Sequence, residues 1–164
     1  FFASTSHVYS FSKYKIKETN KINPISKYGK TKSFAEKYIM RRFRKKKIKF
    51  CIGRIFSIYN NKDKGFLISD LNRKMLSKKN KLILSNLNHF RDFVTTEYIS
   101  RVIIFLMNKK FYGTINIGSG KKTHLKKVAI RIANKYKKKI EIIDNSNPTT
   151  MISDITKLKK IGFN

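Results

Sequence analysis

Short runs of apolar and β-branched residues alternate along this 164-residue chain with stretches of helical period. That alternation constrains the fold more than any other feature. Phe1–Ser4, Lys49–Tyr59, Lys81–Leu87, Arg91–Thr95, Thr114–Ile117 and Lys139–Ile143 read as strands. Between them, Ser26–Arg44, Phe66–Leu76, Thr96–Met107, Thr123–Tyr136 and Ser153–Ile161 carry apolar residues at helical spacing. In the first helix these are Tyr28, Phe34, Ala35, Tyr38 and Ile39, with Ser26 as the expected cap; Thr96 is the expected cap of the third. Thr5–Lys27 is polar, carries Asn23-Pro24 near its end and reads mostly as loop. Strands alternating with helices predict an α/β fold with a largely parallel sheet.

Composition enters through charge. Thirty-nine Lys+Arg stand against nine Asp+Glu, a formal net charge of +30. Such an excess first suggests a polyanionic partner. The cations are 31 Lys and only eight Arg, whereas readers of bases and phosphates lean on the planar Arg fork. Lys, Ile and Asn are abundant together, which fits a general compositional drift better than a designed face. The densest basic segment, Arg41–Lys49, reads as a solvated helix end whose cations suit the C-terminal dipole. The single cysteine, Cys51, excludes an internal disulfide and any multi-Cys metal site, and its apolar setting predicts a buried structural thiol. No metal is expected. The most apolar stretch, Val102–Met107, is too short to cross a bilayer, and no signal peptide is visible. A cytoplasmic protein is expected, with neither nucleic acid nor a membrane as partner. A chain that opens inside a strand, at Phe1 rather than Met, is expected to be a fragment.

The residues that carry chemistry come early and in order. Ser4-Thr5-Ser6-His7-Val8-Tyr9 closes the first strand, and Tyr28-Gly29-Lys30-Thr31-Lys32 opens the first helix. Tyr28 and Lys32 are four apart and share a helix face. A free tyrosine hydroxyl titrates near pH 10, and a nearby ammonium favours its phenolate. Such a pair can move a proton to or from a substrate hydroxyl. Thr5, at a strand end, can hold the same oxygen. Tyr9 and Lys13 share the spacing, so the order and context around Tyr28 carry the signal, not the spacing alone.

That order resembles the extended short-chain dehydrogenase/reductase family, in particular its nucleotide-sugar epimerases, dehydratases and reductases. The resemblance continues through Gly53-Arg54-Ile55-Phe56-Ser57-Ile58-Tyr59-Asn60, Arg91-Asp92-Phe93-Val94, Asn116-Ile117-Gly118-Ser119-Gly120 and the closing Ser153-Asp154 to Ile161-Gly162 segment. It implies the C-terminal half of a Rossmann-type doubly wound parallel sheet plus a small α/β substrate-binding lobe. Residues 1–65 would belong to the nucleotide-binding domain and 66–164 mainly to the lobe, with 91–120 partly returning to the main sheet. It implies Thr5, Tyr28 and Lys32 as the catalytic trio. Tyr28, Lys32 and Ile55 would flank NAD or NADP, and Ser6, His7, Ser57 and Arg91 would meet a nucleotide-diphosphate sugar. An ion pair of Arg91 with Asp92 or Glu97 is the alternative for that arginine. Family members are often dimers through a bundle that includes the Tyr-Lys helix, which would put Phe34 at an interface.

The departures narrow the chemistry. The Asp-Glu pair that follows the threonine in sugar 4,6-dehydratases is replaced by Ser6-His7, which favours an epimerase or a keto-sugar reductase. Ser57 and Asn60 stand where the family usually has Asn and Gly. No Gly-x-x-Gly-x-x-Gly occurs in these residues, and Gly118-x-Gly120 reads as a tight turn. Activity is therefore expected to need a further, glycine-rich half. Two other readings stand beside this one: a basic nucleic-acid-binding protein and a noncatalytic relative.

Overall fold

The computed structural model describes residues 1–59, 65–79 and 81–163. The chain opens with β1 (Phe2–Thr5) and a 3-10 turn (Ser6–Val8), then runs through a long loop into α1 (Lys27–Lys45). β2 (Cys51–Ile55), β3 (Ser57–Tyr59), α2 (Leu67–Met75), β4 (Lys81–Ser85), β5 (His89–Arg91), β6 (Phe93–Thr95) and α3 (Thr96–Asn108) follow. Then come β7 (Gly113–Ile117), β8 (Thr123–His124), α4 (Leu125–Lys135), β9 (Lys139–Ile143), β10 (Thr149–Met151) and α5 (Thr156–Lys160).

The main sheet is β1–β2–β7, all parallel. Its register pairs Thr5 with Ile55 and Ile55 with Ile117, so the three strands end together. The first four residues of β2 are all buried, as expected of a parallel strand covered on both faces. Ile99, Val102 and Leu106 of α3 pack on Cys51, Ile115 and Ile117, and Leu158 of α5 joins the same cluster. A second core holds Leu71 and Met75 of α2, Leu84, and Leu125, Ala129 and Ala133 of α4. There β4 and β9 form a parallel pair, and β10–β5–β8 form a small mixed sheet. Val8, Tyr9, Ile16, Phe56 and Met151 make a third cluster. The α/β class and the parallel main sheet are as the sequence predicts.

Several elements differ from the sequence expectation, each for a tertiary reason. Lys49–Tyr59 is two strands, not one. At Phe56 the backbone changes partners: Phe56 N–H donates to the Ile117 carbonyl (2.9 Å), and Ser57 N–H to that of Asp92 (2.9 Å). β2 stays in the main sheet while β3 pairs with β6. Arg91–Thr95 divides in the same way, at Asp92. The cap of α3 is Thr95, whose hydroxyl accepts from Tyr98 N–H (3.1 Å), rather than Thr96. The fourth helix begins at Leu125 because Thr123–His124 pairs with β5. The last helix begins at Thr156, with the Asp154 carboxylate accepting from Thr156 N–H (2.8 Å). β10, three residues long, is too short to leave a pattern in the sequence. The turn residue Asn60 lies outside the described residues.

The largest surprise is the face that α1 buries. Its buried residues are Gly29, Ser33 and Glu36. Phe34 and Tyr38, which signal the helix in the sequence, are 72% and 60% exposed. Small residues on the inner face let the helix lie close to the sheet, and polar bonds hold it there.

Candidate active site

The ends of β1 and β2, the start of β3 and the first two turns of α1 meet at one cleft of about 530 Å3. Open α/β sheets bind ligands outside the carboxyl ends of their strands. Thr5, Ser6 and His7 come from the end of β1 and its 3-10 turn, Tyr28 and Lys32 from α1, and Ile55 and Ser57 from β2 and β3; all seven line this cleft. The sequence carries them in three separate segments, and the fold brings them together.

Each is held by local chemistry. Ser26 caps α1, its hydroxyl accepting from Gly29 N–H at 3.0 Å. Gly29 is required for closeness: a Cβ there would stand 2.1 Å from the His7 carbonyl oxygen. The helix start therefore rests directly on the 3-10 turn, and Tyr28 lies beside His7, the two rings edge-on with centroids 5.9 Å apart. The Tyr28 side chain is 54% exposed and faces the cleft. Lys32 Nζ donates to the Ala3 carbonyl (2.9 Å) and sits 5.0 Å from the centre of the Phe2 ring. This fixes the ammonium against β1. Thr5 is buried, and its hydroxyl accepts from His7 N–H at 3.3 Å. Desolvation, and secondarily the charge of Arg91, hold the His7 imidazole below its ordinary pKa.

Arg91 is not among the residues lining the cleft. Its guanidinium donates to the carbonyls of Phe90 (2.8 Å) and Thr149 (3.1 Å) and to the Thr149 hydroxyl (3.1 Å), and covers the Phe11 ring. The alternative of a pair with Asp92 is not observed. The Asp92 carboxylate, fully buried, is taken up by N–H and hydroxyl donors of Ser119 and Ser153 and by Gly120 N–H. The Asn116–Gly120 turn thus wraps a carboxylate, and Gly118 leaves the room: a Cβ there would come 2.2 Å from Ser153 Oγ. Cys51 is buried in the main core, and desolvation pushes its thiol up to about 11, which suits the structural role expected of it.

Sequence reasoning assigned no role to a buried polar network behind the cleft. Glu36 receives Arg54 Nε (3.0 Å) and Nη2 (2.7 Å) and the Ser4 hydroxyl. Arg54 Nη1 donates to Tyr9 Oη (2.7 Å), which donates to Asn116 Oδ1 (2.9 Å). All five residues are at most 3% exposed. The network joins α1 to all three strands of the main sheet and so fixes Tyr28 and Lys32 relative to Thr5. A signal did exist. Glu36 lies seven residues after Gly29 and three after Ser33, on the face of small residues rather than the aromatic one.

A three-stranded parallel sheet with α1 against it and a cleft at its strand ends defines a Rossmann-type α/β chain. The family model for the NAD dependent epimerase/dehydratase family matches residues 1–118, and the chain belongs to that family. A protein of Methanocaldococcus jannaschii provisionally named UDP-glucose 4-epimerase is 32% identical over 112 residues, which are 66% of this chain and 36% of that one. Among solved structures, the UDP-N-acetylglucosamine 4-epimerase of Methanobrevibacter ruminantium, in complex with UDP-N-acetylmuramic acid, superposes with a TM-score of 0.84 at 21% identity, over 99% of this chain and 56% of that one. The UDP-glucose 4-epimerase of Thermus thermophilus, in complex with NAD, gives a TM-score of 0.83 at 17% identity, over 99% and 57%. The chain therefore spans little more than half the length of these structures.

Proposed function

We propose that this chain forms the catalytic half of an NAD(P)-dependent nucleotide-sugar epimerase or keto-sugar reductase. The carrying observation is the meeting of Thr5, Tyr28 and Lys32 at one cleft beyond the strand ends. In this reading the Tyr28 hydroxyl gives or takes the proton of a sugar hydroxyl, and Thr5 Oγ1 holds the same oxygen. Lys32, fixed against β1 by the Ala3 carbonyl, orients a ribose and offers a positive charge beside Tyr28. A bound nicotinamide would supply the hydride acceptor and donor. The residues fit the nicotinamide end of such a cofactor: Tyr28, Lys32 and Ile55 share the cleft wall. They do not include a glycine-rich pyrophosphate cradle, so turnover is assigned to a protein that also carries one.

Ser6, His7 and Ser57 are assigned to the sugar. Arg91, half-buried and held by the backbone carbonyls of Phe90 and Thr149, does not line the cleft, but its charge acts on His7, which does, and it is assigned to the substrate diphosphate. The domain division follows: residues 1–65 and part of 91–120 carry the cofactor side, and the remainder mainly the substrate side. We assign a homodimer through α1, supported by the exposed Phe34 and Tyr38. Phe34→Glu should then lower the mass seen by light scattering to that of one chain; an unchanged mass would refute this interface.

The decisive experiment is Tyr28→Phe in the full-length protein. Turnover of a UDP- or dTDP-linked sugar should fall by about a hundredfold to ten-thousandfold, the range of positioned acid–base catalysis. Binding of NAD(P), followed by fluorescence, should persist. Unchanged turnover would remove Tyr28 from the mechanism.

A further inference from the structure

The pole of the main sheet opposite the cleft carries a second surface. In a parallel sheet, every helix-to-strand loop falls at the strand N-termini, away from the ligand end. Two such loops lie there: α1 to β2, and α3 to β7. They are in contact. Gly113 N–H donates to the Phe50 carbonyl (2.8 Å), and Lys49 Nζ stands 4.8 Å from the centre of the Tyr112 ring.

Seven of the nine residues from Arg41 to Lys49 are cationic, and Lys109 and Lys110 come from the other loop. All nine of these cations are exposed. No ion pair among the described residues uses any of them, and neither 37–59 nor 98–140 contains an acidic residue. Between the loops and Phe1 at the foot of β1 runs an apolar groove of about 310 Å3, walled by Phe1, Phe50, Cys51, Met107, Phe111 and Tyr112 and rimmed by Lys49 and Lys110. Ile48, Met107 and Tyr112 are 45%, 52% and 47% exposed.

We propose that this pole docks the protein peripherally on an anionic membrane surface. Charge complementarity names the occupant, and the groove distinguishes it. Lipid interfaces accept cations and apolar or tyrosine side chains together, cations at the headgroups and apolar groups just beneath. A nucleic-acid backbone would use the cations and leave Ile48, Met107 and the groove in water. The sequence led to the expectation of no membrane partner; surface docking departs from that expectation and needs no spanning segment. Because the pole and the cleft lie at opposite ends of the strands, the docked protein keeps its cleft facing the aqueous phase, where a soluble ligand enters. The proposal does not depend on the chemistry assigned to the cleft.

The test is co-sedimentation with vesicles of phosphatidylcholine alone and with about 30% phosphatidylglycerol, an anionic surface of the kind such clusters bind. The protein should bind only the anionic vesicles. The pole variant combines Lys46→Gln, Lys47→Gly, Lys109→Gln and Lys110→Gly. Lys47 and Lys110 have φ of 55° and 50°, so glycine removes the charge and relieves the backbone at once, and lost binding cannot be put down to unfolding. At about fivefold per cation, its affinity should drop by roughly 600-fold. A control with Lys74, Lys78, Lys126 and Lys127 changed to Gln loses the same charge elsewhere and should bind nearly as wild type. Equal loss in both variants would reduce the effect to net charge and overturn the proposal. So would no binding of wild type to anionic vesicles, or displacement from them by random duplex DNA at physiological salt with the pole variant still bound.

Discussion

At the scale of single residues, this chain places lysine where backbone geometry favours glycine. Lys47, Lys110 and Lys137 all end helices in the left-handed region, with φ of 55°, 50° and 52°. At Lys137 the bonding is that of a helix-terminating motif: Lys138 N–H donates to the Ala133 carbonyl (3.0 Å), and Lys137 N–H to that of Asn134 (3.1 Å). An L side chain there is strained, by about 1 kcal/mol. Lys137→Gly should therefore stabilise the protein by roughly that amount, seen as a higher urea midpoint. A lower midpoint would show that the lysine side chain contributes more than its backbone costs. Gly29 and Gly118 are the opposite case, positions where a neighbouring atom occupies the place of a Cβ. Their reasons lie in contacts across the fold, so the sequence offered the residue without its cause.

At the scale of elements, α1 is held less by apolar burial than by its ion pair. It buries Gly29, Ser33 and Glu36, and Glu36 meets Arg54 of β2 at 2.7 Å with both side chains at most 3% exposed. Breaking a buried pair leaves a charge without compensation, at about 3–5 kcal/mol. Glu36→Ala should lose stability in that range by urea unfolding. The double change Glu36→Met, Arg54→Met should recover most of it, because an apolar pair of similar volume removes both charges together. If the double variant were no more stable than the single one, packing rather than charge would be holding the helix. The position of this helix and the capping role of Ser26 were legible in the sequence. Its inner face was not, because Phe34 and Tyr38 set the apolar period while Glu36 became buried only through a partner 18 residues away.

At the scale of the whole molecule, Tyr9 ties the entry loop to the main sheet. Its hydroxyl accepts from Arg54 and donates to Asn116 of β7, 107 residues on. Burial raises its pKa from 10 to about 12, outweighing the opposing charge of Arg54. The folded state prefers the protonated phenol. Its contribution is thus fully present below pH 10 and is lost as pH rises from 10 through about 12. Lysines also titrate there, so Tyr9→Phe is the comparison. The stability gap between wild type and this variant should shrink by about 3 kcal/mol over that window. A gap independent of pH would mean that Tyr9 contributes by packing alone.

The sequence by itself determined the α/β class, the parallel main sheet, most element positions and seven of the residues that line the cleft, but not the place of Arg91, which does not line it. These follow from local signals: apolar period, caps, turn residues and an ordered set of motifs. It also named Arg54, Asp92 and Asn116 as motif members without saying what they do. Only the tertiary structure decided that. Phe56 and Asp92 divide apparent single strands because their backbones hand hydrogen bonds from one sheet to another. Asp92 is satisfied by donors 27 to 61 residues away. The α1–β2 and α3–β7 loops meet at one pole because parallel strands return their chain to the same end of the sheet. Pairings between distant segments leave no period in the sequence, and they fix the strand breaks, the buried charges and the shared surfaces of this protein.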